Sequence, residues 1–271
     1  MATRMFENKE HASYYQKYRF SPPQEIQDMI FSYVQEKLSK PYELAVDVGC
    51  GTGQSTIMLA SLFKKVLGTD ISEAQIEEAN KTHKLPNGTF RALPAEEVPV
   101  DDASVDLITA CAAVHWFDIA KFMKEVDRIL KPHGCLAFYT YLPHVEVHYK
   151  DRSEQMCKVM SEVSDHLTKY RHQKVNIVES GYKGVFEAVP YPDKLRKENV
   201  KAKMTMPLSH LLGLVQSFSM FQKYREHEPE KAKEYIKTTE QRFLEIMGVS
   251  SSETEVDVWF TFVMVLASKP K

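Results

Sequence analysis

Residues 46–55 read VDVGCGTGQS. An apolar, strand-like run delivers an acid, Asp47, and then three glycines at alternate positions, Gly49, Gly51 and Gly53. Glycine permits positive φ and lets a ligand approach the backbone without a Cβ in the way. A dinucleotide-binding turn requires G-x-G-x-x-G. Here the last glycine of that pattern would fall at Gln54 counted from Gly49, or at Thr56 counted from Gly51, so the pattern fails. A tight structural turn also uses glycines, so this stretch by itself leaves a cofactor loop and a plain turn both open.

The flanking sequence alternates helix and strand. SPPQEIQDMIFSYVQEKL predicts an amphipathic helix with Ser21 as N-cap, Pro22 at its first position, and Ile26, Ile30, Val34 and Leu38 on one face. ELAVDVG reads as a buried strand, TGQSTIMLASLF as the helix after it, and KKVLGTD as a second strand. SEAQIEEANKTH opens on a capping box of Ser72 and Gln75. NGTFRA, VDLITACAA and KPHGCLAFYTY supply further strands, with DIAKFMKEVDRIL as a helix before the last of them. Strands separated by helices imply crossover connections and a parallel sheet. The expected fold is α/β, a Rossmann-like doubly wound sheet, mostly parallel with an antiparallel final strand, EVDVWFTFVMVLASK. Because that strand returns to the sheet, the middle of the chain reads as a helical cap inserted after the fifth strand, approximately residues 143–203, within a single domain spanning 1–271. Residues 151–172 read as helical and 180–200 as irregular.

In an open parallel sheet the ligand sits beyond the carboxyl ends of the strands. Asp70 closes the second strand beside the glycine turn, where a carboxylate can accept both hydroxyls of a ribose. Ser72 already fills the helix-capping role, which favours a ligand role for Asp70.

With these pieces in order, VDVGCGTGQS, VLGTDIS, ALPAEEVPVDDASVDLI, ACAAVHWFD and ILKPHGCLAFYTY, the sequence resembles the class I S-adenosylmethionine-dependent methyltransferases over about residues 10–142. Through SYYQKYRFSPP and HWF it is most similar to the small-molecule group related to trans-aconitate methyltransferases. The resemblance implies S-adenosyl-L-methionine as cofactor. It implies that Asp47 and the backbone of Gly49, Gly51 and Gly53 surround the methionine part, with Gln54 near its carboxylate or the ribose. Asp70 would hold the ribose hydroxyls, Ile71 would pack on the adenine, and Ala95 and Glu96 would read the adenine edge. Ala110 and Cys111 would line the floor below the methyl group. Cys111 departs from the family, which often carries Asn or Ser nearby. An N-terminal arm, residues 1–20, with Tyr14, Tyr15, Tyr18 and Arg19, would fold over the cofactor, Tyr18 and Arg19 contacting it and Arg19 pairing with a carboxylate of cofactor or substrate.

Methyl transfer from a sulfonium is an in-line displacement that needs alignment first, and a base only if the nucleophile arrives protonated. No metal-binding motif such as HExxH is present, and none is required. His115, after the fourth strand, is the candidate general base, with a satisfied structural histidine as the alternative. Tyr14, Trp116, Phe117, Tyr141 and His144 are candidate substrate-pocket residues, with His148 a weaker one. Between His166 and Lys203 lie nine Lys or Arg against four acids, which suits an anionic small substrate or a solvated face.

The chain has 271 residues, 43% of them hydrophobic, and a formal net charge of -2. That balance supplies no basic field for nucleic acid. No segment approaches a bilayer span, and Cys50, Cys111, Cys135 and Cys157 show neither zinc nor disulfide spacing, so they read as small buried hydrophobes. A cytoplasmic, monomeric enzyme acting on a small molecule is expected. A cofactor-binding regulator without transferase activity is the alternative, and a nicotinamide oxidoreductase is disfavoured by the glycine spacing.

Overall fold

The computed structural model describes residues 6–271; the part of the expected arm in residues 1–5 lies outside them. The described residues form an eight-stranded sheet of order β3-β2-β1-β4-β5-β8-β6, with β7 on the other side of β8. The central strands β1 (Tyr42–Val48), β2 (Phe63–Asp70), β3 (Gly88–Ala92), β4 (Val105–Cys111) and β5 (Leu130–Tyr141) pair in parallel. β8 (Glu255–Ser268) runs antiparallel to β5, to the short β6 (Glu146–His148) and to β7 (Asp193–Pro207). This is a Rossmann-like doubly wound sheet with one reversed strand, as expected. β1 and β4 are buried nearly throughout, which is why they read as continuous apolar runs with no alternation.

Each face of the sheet is sealed by amphipathic helices. α4 (Ile119–Ile129) buries Phe122, Met123, Val126 and Ile129 and starts at Asp118, whose carboxylate accepts the Lys121 N–H. α3 (Glu73–Thr82) starts at Ser72, which accepts the Gln75 N–H, but only this half of the capping box forms: the Ser72 N–H donates to Asp70 and the Gln75 side chain does not reach back. α2 (Gln24–Lys37) buries Ile26, Ile30 and Val34, but it begins after Pro23; Ser21 does not cap it, and Pro22 lies before the helix.

Other expectations are corrected. TGQSTIMLASLF makes only a single 3-10 turn, Thr56–Leu59. The hydroxyls of Ser55 and Thr56 both donate to the buried Asp47 carboxylate at 2.7 Å, which ties the start of this segment back onto β1. Residues 180–200 are not irregular: they form α7 (Lys183–Ala188) and most of β7, which pairs with β8 from Asp193↔Ser268 to Pro207↔Glu255. The expected cap, 143–203, therefore ends inside a sheet strand. β6, α5 (Ser153–Thr168), α6 (Val175–Glu179) and α7 precede β7. A further helical excursion, α8 (Leu208–Gln216), α9 (Ser219–His227) and α10 (Pro229–Met247), follows it. The N-terminal segment is also more regular than an arm, forming α1 (Lys9–Tyr18) with Asn8 accepting the His11 N–H.

Candidate active site

The carboxyl ends of β1, β2 and β4 open into a cleft enclosing about 720 Å³ of space that is continuous with solvent. Gly49 and Gly51, at φ +68° and +55°, form its floor and hold a backbone shape that side chains resist. Asp70 lies in the wall. Its Oδ2 accepts the Gly51 N–H and its Oδ1 the Ser72 N–H, each at 2.9 Å. Burial pushes its pKa up to about 6, against the opposing pull of these N–H groups. Ile71, Ala95 and Glu96 complete this end, and Glu96 Oε1 accepts the Asp118 N–H at 3.0 Å. Gln75, which is buried, also lines the cleft, and both polar atoms of its amide lack a partner among the described residues. An orphaned amide inside a cavity costs free energy until something hydrogen-bonds to it.

A second cavity continues past Phe6, Tyr15, Ala112 and Trp116, which line both. It is walled by His115, Thr140, Tyr141, Pro143, Val175 and Phe218. A third, smaller space joins them beneath Tyr15 and Arg19, against Gly49, Gln54, Ser55 and Cys111.

Arg19 stands where the second and third spaces meet. Its Nε donates to Ser217 Oγ at 2.8 Å and another nitrogen to the Tyr141 hydroxyl, while its guanidinium stacks 4.4 Å from the Tyr15 ring. No carboxylate pairs with it among the described residues. A half-buried guanidinium held only by neutral partners is a ready anion receptor.

His115 lies in the wall of the second cavity, but burial, with Lys174 nearby, pushes its pKa down to about 3. It is therefore neutral at ordinary pH and a much weaker base than a poised histidine. Cys111 is a wall residue whose thiol burial pushes up to about 12, so it carries no charge.

A family profile described as Methyltransferase domain matches residues 46–138, the span from β1 through most of β5 that carries this cleft. Residues 46–138 are similar to a methyltransferase domain. A Dictyostelium discoideum protein named provisionally as a methyltransferase is 40% identical over 114 residues, 42% of each chain, so this chain spans well under half of that relative's length. The trans-aconitate 2-methyltransferase of Deinococcus radiodurans is 37% identical over 101 residues, 36% of this chain and 38% of that one. A solved structure from Anaeromyxobacter dehalogenans, named provisionally as a type II methyltransferase, superposes with a TM-score of 0.71 at 25% identity, covering 94% of this chain and 100% of that one.

Several expected site residues lie elsewhere. Asp47 is fully buried behind the turn, accepting the hydroxyls of Ser55, Thr56 and Thr109 at 2.7 Å each, so it shapes the glycine turn and does not face the cleft. Gly53 faces inward: a Cβ there would lie 2.9 Å from both His83 and Phe90. Ala110 is fully buried within β4. Tyr18 packs against Gly213 of α8, where a Cβ would stand 2.2 Å from its ring, and Tyr14 packs on Tyr18; neither lines the three cavities. His144 is exposed outside them. None of the nine basic residues between 166 and 203 lines the three cavities; Lys174, Lys194 and Arg196 bond backbone carbonyls, while Arg171, Lys201 and Lys203 pair with acids. Tyr15, expected only as one tyrosine of the arm, borders all three spaces, while Phe6, Gln75 and Thr140 were missed. No helix among the described residues is long and apolar enough to cross a membrane.

Proposed function

We propose that this chain is an S-adenosylmethionine-dependent methyltransferase acting on an oxygen, nitrogen or sulfur of a small metabolite. The observation that carries the reading is the continuity of the cleft: Asp70, the glycine floor and the orphaned Gln75 lie at one end, and an aromatic cavity opens past Tyr15 and Trp116 at the other.

The residues present fit the cofactor. Asp70 spends one lone pair of each oxygen on a backbone N–H and keeps others for the ribose hydroxyls. Ile71 offers an apolar face to the adenine, and Ala95 with the remaining oxygen of Glu96 offers hydrogen bonds to its edge. Gln75 Nε2 and Oε1 supply a further donor and acceptor in the same wall. Gln54 and Arg19 border the third space, where a carboxylate would meet the guanidinium.

When bound, the sulfonium supplies an electrophilic methyl group. The chain's own contribution is alignment and exclusion of water. Phe6, Tyr15 and Trp116 separate the two main cavities without closing them, so an acceptor in the second faces the end of the first. With His115 neutral, the Tyr15 and Tyr141 hydroxyls held protonated by burial, and Arg19 cationic, this set of wall residues offers no strong base. The acceptor best suited to such a wall reaches its reactive form without enzymic deprotonation, and a carboxylate-bearing metabolite is one candidate.

Isothermal titration with S-adenosylmethionine and with S-adenosylhomocysteine tests the reading; the absence of any binding heat at high micromolar concentration would overturn it. A turnover screen of metabolite pools with methyl-labelled cofactor then separates an enzyme from a protein that only binds.

A further inference from the structure

Tyr182 occupies an unusual position for its residue type. It is fully buried, and its φ of +56° places it in the left-handed region directly after Gly181 at +62°. A residue with a Cβ adopts that conformation only where its surroundings demand it. Here the backbone drives the phenol inward beneath the second cavity, and its hydroxyl lies 3.1 Å from Nδ1 of His115. The same segment grips the 3-10 turn Val114–Trp116 a second time, because Lys174 Nζ donates to the carbonyls of Trp116 at 2.7 Å and Phe117 at 3.4 Å. The stretch 174–182 thus sets the orientation of His115, although neither anchor lies on the strand that delivers it.

A neutral imidazole has one ring nitrogen that donates and one that accepts, and the partner of the first decides the role of the second. We propose that the Tyr182 hydroxyl donates to His115 Nδ1 and fixes the ring proton on Nε2. His115 then faces the second cavity as a hydrogen-bond donor, and Tyr182 is its positioning residue. Taking this cavity as the acceptor site rests on the methyltransferase reading above. The cavity around His115 is apolar along Phe6, Trp116, Pro143, Val175, Phe218 and Met220, and Arg19, Thr140, Tyr141 and Ser219 supply other polar groups. The ligand class that matches is an apolar or aromatic body carrying an oxygen that accepts a hydrogen bond, such as a carbonyl or carboxylate. On this assignment His115 recognises the acceptor molecule and does not remove its proton.

The test is nitrogen-15 NMR of histidine-labelled protein. The expected result for the wild type is a neutral His115 with its proton on Nε2 throughout about pH 5.5 to 8.5. A proton on Nδ1, or titration near the ordinary histidine value, would overturn the assignment. In the presence of S-adenosylhomocysteine, benzoate, phenylacetate and hexanoate serve as acceptor-bearing probes and benzylamine as a control. At least one carboxylate should shift the Nε2 resonance while benzylamine does not; no response to any carboxylate, or an equal response to benzylamine, counts against the proposal. Tyr182→Phe should weaken the responding carboxylate by about fivefold and leave S-adenosylhomocysteine affinity unchanged. Unaltered probe affinity in a folded Tyr182→Phe protein would reduce the contact to a structural one and refute the positioning role. If that variant does not fold, the wild-type tautomer alone decides. Failure of S-adenosylhomocysteine to bind would instead tell against the methyltransferase reading, since the tautomer measurement needs no ligand.

Discussion

Oδ2 of Asp70 accepts the backbone N–H of Gly51 at 2.9 Å, so the end of β2 is tied directly to the glycine turn that ends β1. The two features that were separate signals in the sequence are one hydrogen-bonded unit in the fold. The carboxylate that would meet a ribose therefore also fixes the backbone beside it.

This coupling gives Asp70 a pH signature. Its pKa in the fold is about 6, above the ordinary 3.8, so folding disfavours its charged form. The stability it contributes is fully present below the ordinary value and is lost as pH rises through about 6. Relative to Asp70→Asn, the ligand-free wild type should accordingly gain stability as pH falls from about 7 to 4, by up to roughly 3 kcal/mol. Denaturant unfolding of both proteins across that range measures it; a wild-type advantage that shrinks on acidification contradicts the assignment. Cofactor affinity should move the other way, weakening below about pH 6 as the carboxylate loses acceptor capacity, with Asp70→Asn weaker throughout and flat.

The two floor glycines should fail differently. A Cβ at Gly49 would stand 2.5 Å from the Ala113 Cβ and 2.9 Å from the Phe117 ring, on a backbone at φ +68°. Gly49→Ala combines strain with a clash and should cost about 2–4 kcal/mol of stability. At Gly51 the nearest atoms, Gln75 Oε1 and Tyr15 Cε1, are 3.5 and 3.6 Å away, so Gly51→Ala carries mainly the φ penalty, about 1–2 kcal/mol. Its methyl group adds bulk to the floor of the cleft, and the folded variant should lose cofactor affinity by at least about tenfold. Thermal melts and calorimetry on both variants check the contrast; equal stability loss would show that the clash at Gly49 is relieved.

Asp47 should behave as a structural residue despite its place in the motif. Its carboxylate holds hydroxyls from the turn (Ser55, Thr56) and from β4 (Thr109), all within a fully buried site. Asp47→Ala strands those hydroxyls and should cost about 2–4 kcal/mol in denaturant unfolding. Where the variant is saturated with cofactor, its turnover should approach that of the wild type. A stable Asp47→Ala protein with abolished binding would instead assign it a ligand role.

The sheet and the end of the cleft around Asp70 were readable because they rest on local signals: apolar runs for β1 and β4, the Ser72 N-cap, the glycine spacing and an acid at the end of β2. The N-terminal contribution was not, and the reason is periodic. Read as an arm, the segment made Tyr14 and Tyr18 equal candidates with Tyr15 and Arg19. As α1 it puts Tyr14 and Tyr18 together on one face, over α8, while His11 and Tyr15 share the other with Arg19 just past the helix end, toward the cavities. The buried face of α1 is made of His11, Ala12 and polar aromatics, so no apolar stripe announced a helix. β7 was hidden for a related reason: its outward side chains are Lys, Arg and Glu, as suits a strand at the sheet's edge, and they mask the period-two pattern. The His115–Tyr182 contact joins residues 67 apart through a left-handed tyrosine, which neither spacing nor propensity signals.

On the proposed reading, Arg19 would meet the cofactor's amino-acid end and not its nucleoside end. It borders the third space with Gln54 and Ser55, and its bonding partners Ser217 and Tyr141 are neutral, leaving its charge for an anion. Arg19→Gln removes that charge and the fork geometry together. It should weaken S-adenosylhomocysteine by about 10- to 100-fold, or roughly 1.4–2.7 kcal/mol, as expected for loss of a charge-assisted carboxylate contact. The affinity for 5′-methylthioadenosine, which has the nucleoside and sulfur but no carboxylate, should change by less than about threefold. Calorimetry with both ligands on the wild type and Arg19→Gln forms a double-difference cycle in which general damage to the pocket cancels. Equal losses for the two ligands would mean that Arg19 merely supports the Tyr15 ring it stacks on, and a loss for neither would move its anion to the acceptor side, in the cavity it shares with His115.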